Sequence, residues 1–490
     1  MRACSLPHLR VATHQPPVAL RERRPAIFTM VRHNDKDDDA GPPPHLLSSK
    51  QIASYAVGHV LNDMSATCWF GYLLLYLKSS AMLSNLNAGM VMMVGQYADA
   101  VATPLVGIFS DASKGWPGLH LGRRKLWHLM GTLIVLVCFS SIFVVPFHTS
   151  RVPYTVAYYA SGAALFNVGW ASVQVSHMAM VPELTPIDDE RVCLNSWRYA
   201  AQVAANSSVY VLFLLSCLLT PDTDEAFHLL GIGVITIGTL FTIVFHVGTP
   251  NPPDVTSSFN DTTATVTWRH WLRSPLLYVV AVVYTSARVV VNISQVYLPF
   301  FVRDALGMGK TAIGAVPLVM FAASFLTSFL LGRLNAGLGR RRVFVAGAFA
   351  TFLSIVAMSR LTSPMSAFVF PVAFALGAGN ATIMVQAISM ESDLVGTQDG
   401  SAFVFGALSF CDKLVNGVII ILIESRAIQT GDFIRVVFCG VPGLAVALAS
   451  AVVLFVALPP PPGTDRAHDQ DHSYVRIAED SPSHRTPLVC

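Results

Sequence analysis

The sequence predicts an all-α membrane protein of twelve transmembrane helices arranged as two six-helix bundles, and three observations carry that prediction. Of the 490 residues 53% are hydrophobic and only 12% charged, with a mean hydropathy of +0.55, whereas a soluble domain carries about 25% charged residues. Apolar runs near the roughly 20 residues that cross a bilayer core recur twelve times along the chain. The longest polar linker, 248–273, rich in Pro, Thr, Ser and Asp, follows the sixth run and divides the twelve evenly.

In order, the runs are Ile52–Leu77, Leu86–Phe109, Leu126–Phe147, Tyr154–Val181, Ser196–Leu219 and Phe227–Val247 in the first half. The second half supplies Leu276–Val302, Ala312–Leu331, Val343–Met358, Ala367–Met390, Ser401–Ile423 and Phe433–Leu458. The expected organisation is a disordered cytosolic tail over 1–49, an N-terminal bundle over 50–247, a cytosolic linker over 248–273, a C-terminal bundle over 274–458 and a second cytosolic tail over 459–490. An even number of spans puts both termini on one side. If that side is cytosolic it holds 22 of the 32 Lys and Arg against 7 on the other, which is the bias the positive-inside rule describes.

The early arginines Arg2, Arg10, Arg21, Arg23 and Arg24 faintly resemble an organelle presequence, but the charge run Asp35 to Asp39 and the prolines Pro42, Pro43 and Pro44 read as a disordered tail. The eight cysteines are scattered without a CxxC pair, unlike a zinc or disulfide framework. The net charge of +3, with basic residues at the ends of apolar runs, gives no nucleic-acid footprint. Gly309-Lys310-Thr311 looks like the end of a phosphate-binding loop, yet Asp304 stands where its first glycine is required and no strand precedes it. No enzyme activity, metal or cofactor is called for, and with no other nucleotide loop in the chain transport is expected to be facilitated or ion-coupled rather than driven directly by ATP. The glycosylation patterns at Asn206, Asn292 and Asn380 fall inside spans and the one at Asn260 in the linker, so none is expected to be used. Tyr474-Val-Arg-Ile477 has the form of a tyrosine-based sorting signal, with Tyr474 and Ile477 as its reading residues; such short patterns also arise by chance.

A loop motif appears twice at equivalent places: Gly107, Asp111 and Gly122-Arg123-Arg124-Lys125 after the second span, then Gly332 and Gly339-Arg340-Arg341-Arg342 after the eighth, with Ala336 in place of the acid. Asp111 at a helix end is expected to hold the guanidinium groups of Arg123 and Arg124 as a gate. Topology-setting positive charge is the plainer account of the same arginines.

An ionisable side chain inside a membrane helix costs about 2.5–3.5 kcal/mol on insertion scales, so each one calls for a reason. In the first span Tyr55, His59, Asn62 and Asp63 share a helix face, as do Gln96, Asp99 and Thr103 in the second. Asn167, Gln174 and His177 lie on the fourth, while Asn195, Arg198, Gln202 and Asn206 open the fifth. Arg288, Asn292 and Gln295 form a stripe at i, i+4 and i+7 on the seventh, and Ser409, Lys413 and Asn416 lie on the eleventh. The functional reading is a midplane cavity in which His59, Asn62, Asp63, Gln96, Asp99, Thr103, Arg198, Arg288, Asn292, Gln295 and Lys413 contact a small polar or zwitterionic substrate and a coupling ion. Interhelical salt bridges and packing are the competing reading. His59, one turn from Asp63, is also placed to handle a proton.

TPLVGIFSD at 103–111, VPELTPIDDER at 181–191, ESDLVGTQDGSAFVFG at 391–406 and Lys413 together resemble the glycoside-pentoside-hexuronide:cation symporter branch of the major facilitator superfamily, over about residues 50–458. Further segments, SYAVGHVLND at 54–63, GWASVQVSHMAMVPEL at 169–184, HWLRSP at 270–275, RVVVNISQ at 288–295 and VPLVMF at 316–321, narrow the likeness to cysteine transporters of lysosomes and melanosomes within that branch. The resemblance implies a major facilitator fold, a monomer embedded in the lipid bilayer, cytosolic termini and cysteine or a similar small molecule as cargo. It also carries the branch's helix 1 acid onto Asp63 and its helix 11 lysine onto Lys413. The branch's sodium-coupled sugar carriers have two acids a turn apart in the second helix; Asp99 matches the first, but Thr103 replaces the second. That argues against a two-carboxylate sodium site and leaves a proton, or no ion, as the coupling species. A cation-coupled sugar or lysolipid symporter is the alternative.

Overall fold

A computed structural model describes residues 47–113, 121–145, 147, 149, 151–251, 268–395 and 401–455. Tyr474, Ile477 and most of both expected tails and of the linker therefore lie outside the described residues.

The chain forms helices α1 Ser49–Ala56, α2 Val60–Cys68, α3 Leu74–Ser79, α4 Asn85–Ala112, α5 Arg123–Phe143, α6 Val152–Leu184, α7 Asp188–Leu219 and α8 Thr223–Gly248. After the linker come α9 Trp268–Arg273, α10 Pro275–Phe300, α11 Lys310–Leu338, α12 Arg340–Arg360, α13 Val369–Val395, α14 Ser401–Glu424 and α15 Gly431–Phe455. Polar caps mark several starts: Ser48 accepts from the Gln51 N–H in a capping box, and Ser84 and Asp222 cap α4 and α8. Between α11 and α12 the chain reverses on Gly339 at φ 80°, a left-handed turn that explains the glycine ahead of Arg340. The matching Gly122 has φ −63° and simply caps α5, so the two copies of the loop motif are not conformational twins.

Among the described residues ten helices are long and apolar enough to cross a membrane, rather than the twelve expected. The other two expected spans are helical but depart from that standard. The fourth lies within α6, 33 residues long, whose apolar character is diluted by Asn167, Gln174, Ser176 and His177. The first is broken: a 3-10 segment at Val57–His59 separates α1 from α2, and a π segment at Trp69–Leu73 separates α2 from α3. Large apolar side chains exposed along the helices, such as Leu240, Phe329 and Leu444, form the surface a bilayer would cover. This is a multi-pass, all-α membrane protein.

α4 packs on α6 and α14, α7 on α11, α5 on α6, and α10 on α13, α14 and α15. The α4–α14 and α7–α11 contacts join the first half of the chain to the second. Hydrogen bonds place Leu47 beside Glu190, Lys125 beside Thr249, Arg124 beside Asp111 and Arg341 beside Leu454. The first described residues, the last ones and these loops therefore share one end of the molecule, here called the terminal end; the opposite one is the far end.

Candidate functional site

A cavity of about 320 Å³ lies among helices of both halves, walled by α2, α4, α6, α7, α10, α11, α13 and α14. Nine of the eleven residues expected to contact cargo or ion line it: His59, Asp63, Gln96, Asp99, Arg198, Arg288, Asn292, Gln295 and Lys413. The α10 stripe reaches it because i, i+4 and i+7 share one helix face. Two do not line it. Asn62 turns to His59 and to the Trp170 carbonyl, and Thr103 donates to the Asp99 carbonyl and carboxylate. Each braces a lining residue.

The charges are arranged in pairs. Lys413 Nζ lies 2.7 Å from Asp99 Oδ2 and donates at 3.1 Å to Thr103 Oγ1, bridging α14 of the second half to α4 of the first. Arg288 Nε donates at 2.9 Å to Asp412 Oδ2, and Asn416 Nδ2 donates at 2.7 Å to the other Asp412 oxygen. Sequence reasoning misses Asp412, whose side chain is 2% exposed. The signal was present, since the rule that selects Lys413 applies equally to its neighbour, which points about 100° around the helix toward α10.

Asp63 Oδ1 is met by His59 Nδ1 at 2.8 Å and by Gln202 Nε2 at 3.2 Å. Asn62 Nδ2 faces both the Trp170 carbonyl, which can only accept, and His59 Nε2 at 3.1 Å. His59 thus bridges Asp63 through Nδ1 and Asn62 through Nε2, and no lysine or arginine among the described residues comes within ion-pair distance of Asp63. Gln202 and Asn206, the next residues on the Arg198 face of α7, also line the cavity, with Trp170, Phe70 and Phe321 as its aromatic wall. Among the described residues no three His, Cys, Asp or Glu side chains converge as a metal site requires.

Other histidines explain the break in the first span. His177 Nε2 donates to the Tyr55 carbonyl at 2.8 Å and His128 Nε2 to the Gly58 carbonyl at 2.9 Å. Tyr55 lies just before the 3-10 segment and Gly58 within it, so side chains from α6 and α5 satisfy backbone groups that the interruption exposes. His177 is a bracing residue here and does not line the cavity.

At the terminal end Arg124 donates to Asp111 Oδ1 at 2.6 Å, to Glu183 Oε1 at 2.9 Å and to Ser110 Oγ at 2.9 Å, while Arg123 reaches Glu183 at 2.8 Å and the Asp111 carbonyl at 3.2 Å. Sequence reasoning pairs the arginines with Asp111 alone; Glu183 is the acid that gathers both. In the second copy of the motif Arg340 pairs with Asp393 and Arg341 with the Leu454 carbonyl.

At the far end several polar contacts run between halves. Lys78 Nζ, on α3, lies 3.0 Å from Glu424 Oε2 and 2.5 Å from Gln429 Oε1, and the Tyr297 hydroxyl donates to the other Glu424 oxygen at 2.8 Å. Asn85 donates to the carbonyls of Arg426 and Ala427 at 3.0 and 3.2 Å, and Lys310 to that of Thr220. Glu424 has no exposed side-chain surface, and an added Cβ on Gly89 would stand 2.7 Å from its Cβ. The far end is sealed by backbone and side chains in close contact.

The family model described as MFS/sugar transport protein matches residues 54–459. Major facilitator superfamily domain-containing protein 12 of Homo sapiens is 37% identical over 418 residues, covering 79% of this chain and 87% of that protein. Sodium-dependent lysophosphatidylcholine symporter 1-A of Danio rerio is 25% identical over 150 residues, covering 30% of this chain and 27% of that protein. Among solved structures, a bacterial homologue of the iron transporter ferroportin in its inward-facing state aligns with a TM-score of 0.57 at 15% identity, covering 83% of this chain and 99% of that one. That likeness concerns the fold.

Proposed function

The chain belongs to the MFS/sugar transport protein family, a family of transporters, and from that premise we propose that it carries a small amino acid, cysteine above all, across the lysosomal or melanosomal membrane by alternating access. One observation carries the reading: the polar cavity is walled by charged side chains from both halves, while the cross-half ion pair that seals it lies at the far end. Rocking the halves about such a midplane site is how inverted-repeat carriers alternate. The cavity volume falls at the lower end of the roughly 300–1,000 Å³ of small-molecule sites, which suits a small solute. The division into bundles over 50–247 and 274–458, the cytosolic termini, a monomeric state and the cytosolic gate at Asp111, Arg123 and Arg124 belong to the same proposal, with Tyr474 and Ile477 as its sorting signal. The Lys413 ammonium fills the position beside Asp99 and Thr103 that a sodium ion would take, which supports a proton, or no ion, as the coupled species.

Labelled-cysteine uptake by purified lysosomes, with and without the protein, tests this. Uptake should fall by most of its carrier-dependent part without it, and unchanged uptake would defeat the proposal.

A second reading, a lysolipid symporter, is favoured by a pocket of about 260 Å³ that shares Gln202, Asn206, Gln295 and Phe321 with the main cavity and extends along Val203, Met320, Phe325 and Val385. Such a branch fits an acyl chain. Sodium-dependent lysophosphatidylcholine uptake lost in Asp99→Asn would establish it over the first.

A further inference from the structure

We infer that Arg198 and Asp63 recognise the two ends of a zwitterion, Arg198 taking the carboxylate and Asp63 the ammonium group of a free α-amino acid; this rests on the amino-acid reading above. It follows from a census of charge around the cavity. Lys413 is neutralised by Asp99 at 2.7 Å and Arg288 by Asp412 at 2.9 Å. Asp63 has no lysine or arginine within ion-pair distance among the described residues; His59 Nδ1 and Gln202 Nε2 are the side-chain nitrogens that reach its carboxylate. Arg198 lines the same cavity, has no carboxylate within ion-pair distance among the described residues, and its buried Nε has no hydrogen-bond partner.

One carboxylate without a lysine or arginine partner and one guanidinium without a carboxylate partner thus face the same small space without touching. A lone charge away from water is costly, and an unpaired guanidinium fork is suited to bind a carboxylate through two parallel hydrogen bonds. A sugar would leave both charges unmatched. An amino-acid zwitterion answers each with its opposite and adds no net charge to the cavity. The aromatic side chains of Trp170, Phe70 and Phe321 remain for the substituent on its α-carbon.

The test uses full-length protein in liposomes, with competition against labelled cysteine by unlabelled cysteine, cysteamine, which lacks the carboxylate, and 3-mercaptopropionate, which lacks the ammonium. Wild type should prefer cysteine to either analogue by about tenfold or more, as loss of a charge-assisted contact implies. Arg198→Gln should level cysteine with cysteamine yet still discriminate against 3-mercaptopropionate; Asp63→Asn should do the reverse. Arg198→Lys should recover part of the lost preference. Where a variant transports too slowly, the same ratios are read from ligand-induced thermal stabilisation of the purified, monodisperse protein. Both preferences surviving in both variants would overturn the assignment while leaving the amino-acid reading intact. Competition by lysophosphatidylcholine or a disaccharide, with none by cysteine in wild type, would remove that reading and the assignment with it.

Discussion

The two ends of the molecule are held together in opposite ways. At the far end a buried ion pair, Lys78 with Glu424, and the contacts of Lys78 with Gln429 and Asn85 with the Arg426 carbonyl cross from one half of the chain to the other. At the terminal end Arg124 with Asp111 and Glu183, and Arg340 with Asp393, stay within a half. The Tyr199 to Ser328 hydrogen bond at 3.1 Å joins α7 to α11 toward that end, and both of its partners are exposed or half-exposed. Charge pairs across a closing surface select a conformation, whereas pairs within a rigid unit stabilise that unit in every conformation. The molecule is therefore in a state closed at the far end, with a mid-depth pair, Lys413 to Asp99, as a further cross-half tie.

Breaking the far-end seal should have the largest effect. Removing one partner of a buried ion pair costs about 3–5 kcal/mol, enough to move a two-state equilibrium by more than a hundredfold. We expect Glu424→Gln to lengthen and broaden the distance between spin labels placed at Ser84→Cys and Thr430→Cys; an unaltered distance distribution would mean the pair is a packing contact and not a lock. Next comes the midplane. Asp412→Asn should lower stability by less, about 1–3 kcal/mol, because it leaves the half-buried Arg288 without its carboxylate partner, yet it should not change that spin-label distance. Thermal melting read alongside the distance checks the split, and a shift in distance would show that the pair also sets the state.

At the terminal end the effects should be no larger than this, and unequal. Arg124→Ala removes hydrogen bonds to two acids and Ser110 from a side chain only 8% exposed, so a loss of about 1–3 kcal/mol is expected. Arg341→Ala, at an exposed position in the second copy of the motif, should stay within about 0.5 kcal/mol. Equal melting-temperature shifts for the two would break the distinction between an acid-anchored loop and one that lacks its acid at Ala336.

The sequence makes some of this legible and hides the rest for physical reasons. Arg288, Asn292 and Gln295 are readable because helical periodicity alone puts them on one face, and lipid on the other side leaves only the interior for them. Asp412 obeys the same rule but follows from it only if every acid in a span is counted, including one beside an already chosen lysine, whereas Glu424 stands one residue past the expected end of its span at Ile423. Asn62 and Thr103 share a face with lining residues yet are consumed by nearby carbonyls and carboxylates, a local competition that periodicity does not resolve. The interrupted first span is illegible because its cause lies elsewhere: the carbonyls at Tyr55 and Gly58 are satisfied by imidazoles more than 65 residues away, and no helix breaker in 52–77 other than Gly58 and Gly71 announces it.

That interruption gives the first span a divided allegiance. Its opening pieces, α1 and α2, nestle against α7 and α8 of their own half, whereas the π-wound stretch Trp69–Leu73 leans on α10 of the other and α3 touches both α4 and α10. Any swing that parts the halves at the far end must then pull this one rod in two directions. Trp69–Leu73 is the elbow where the rod can flex, since a π turn already carries an extra residue of slack.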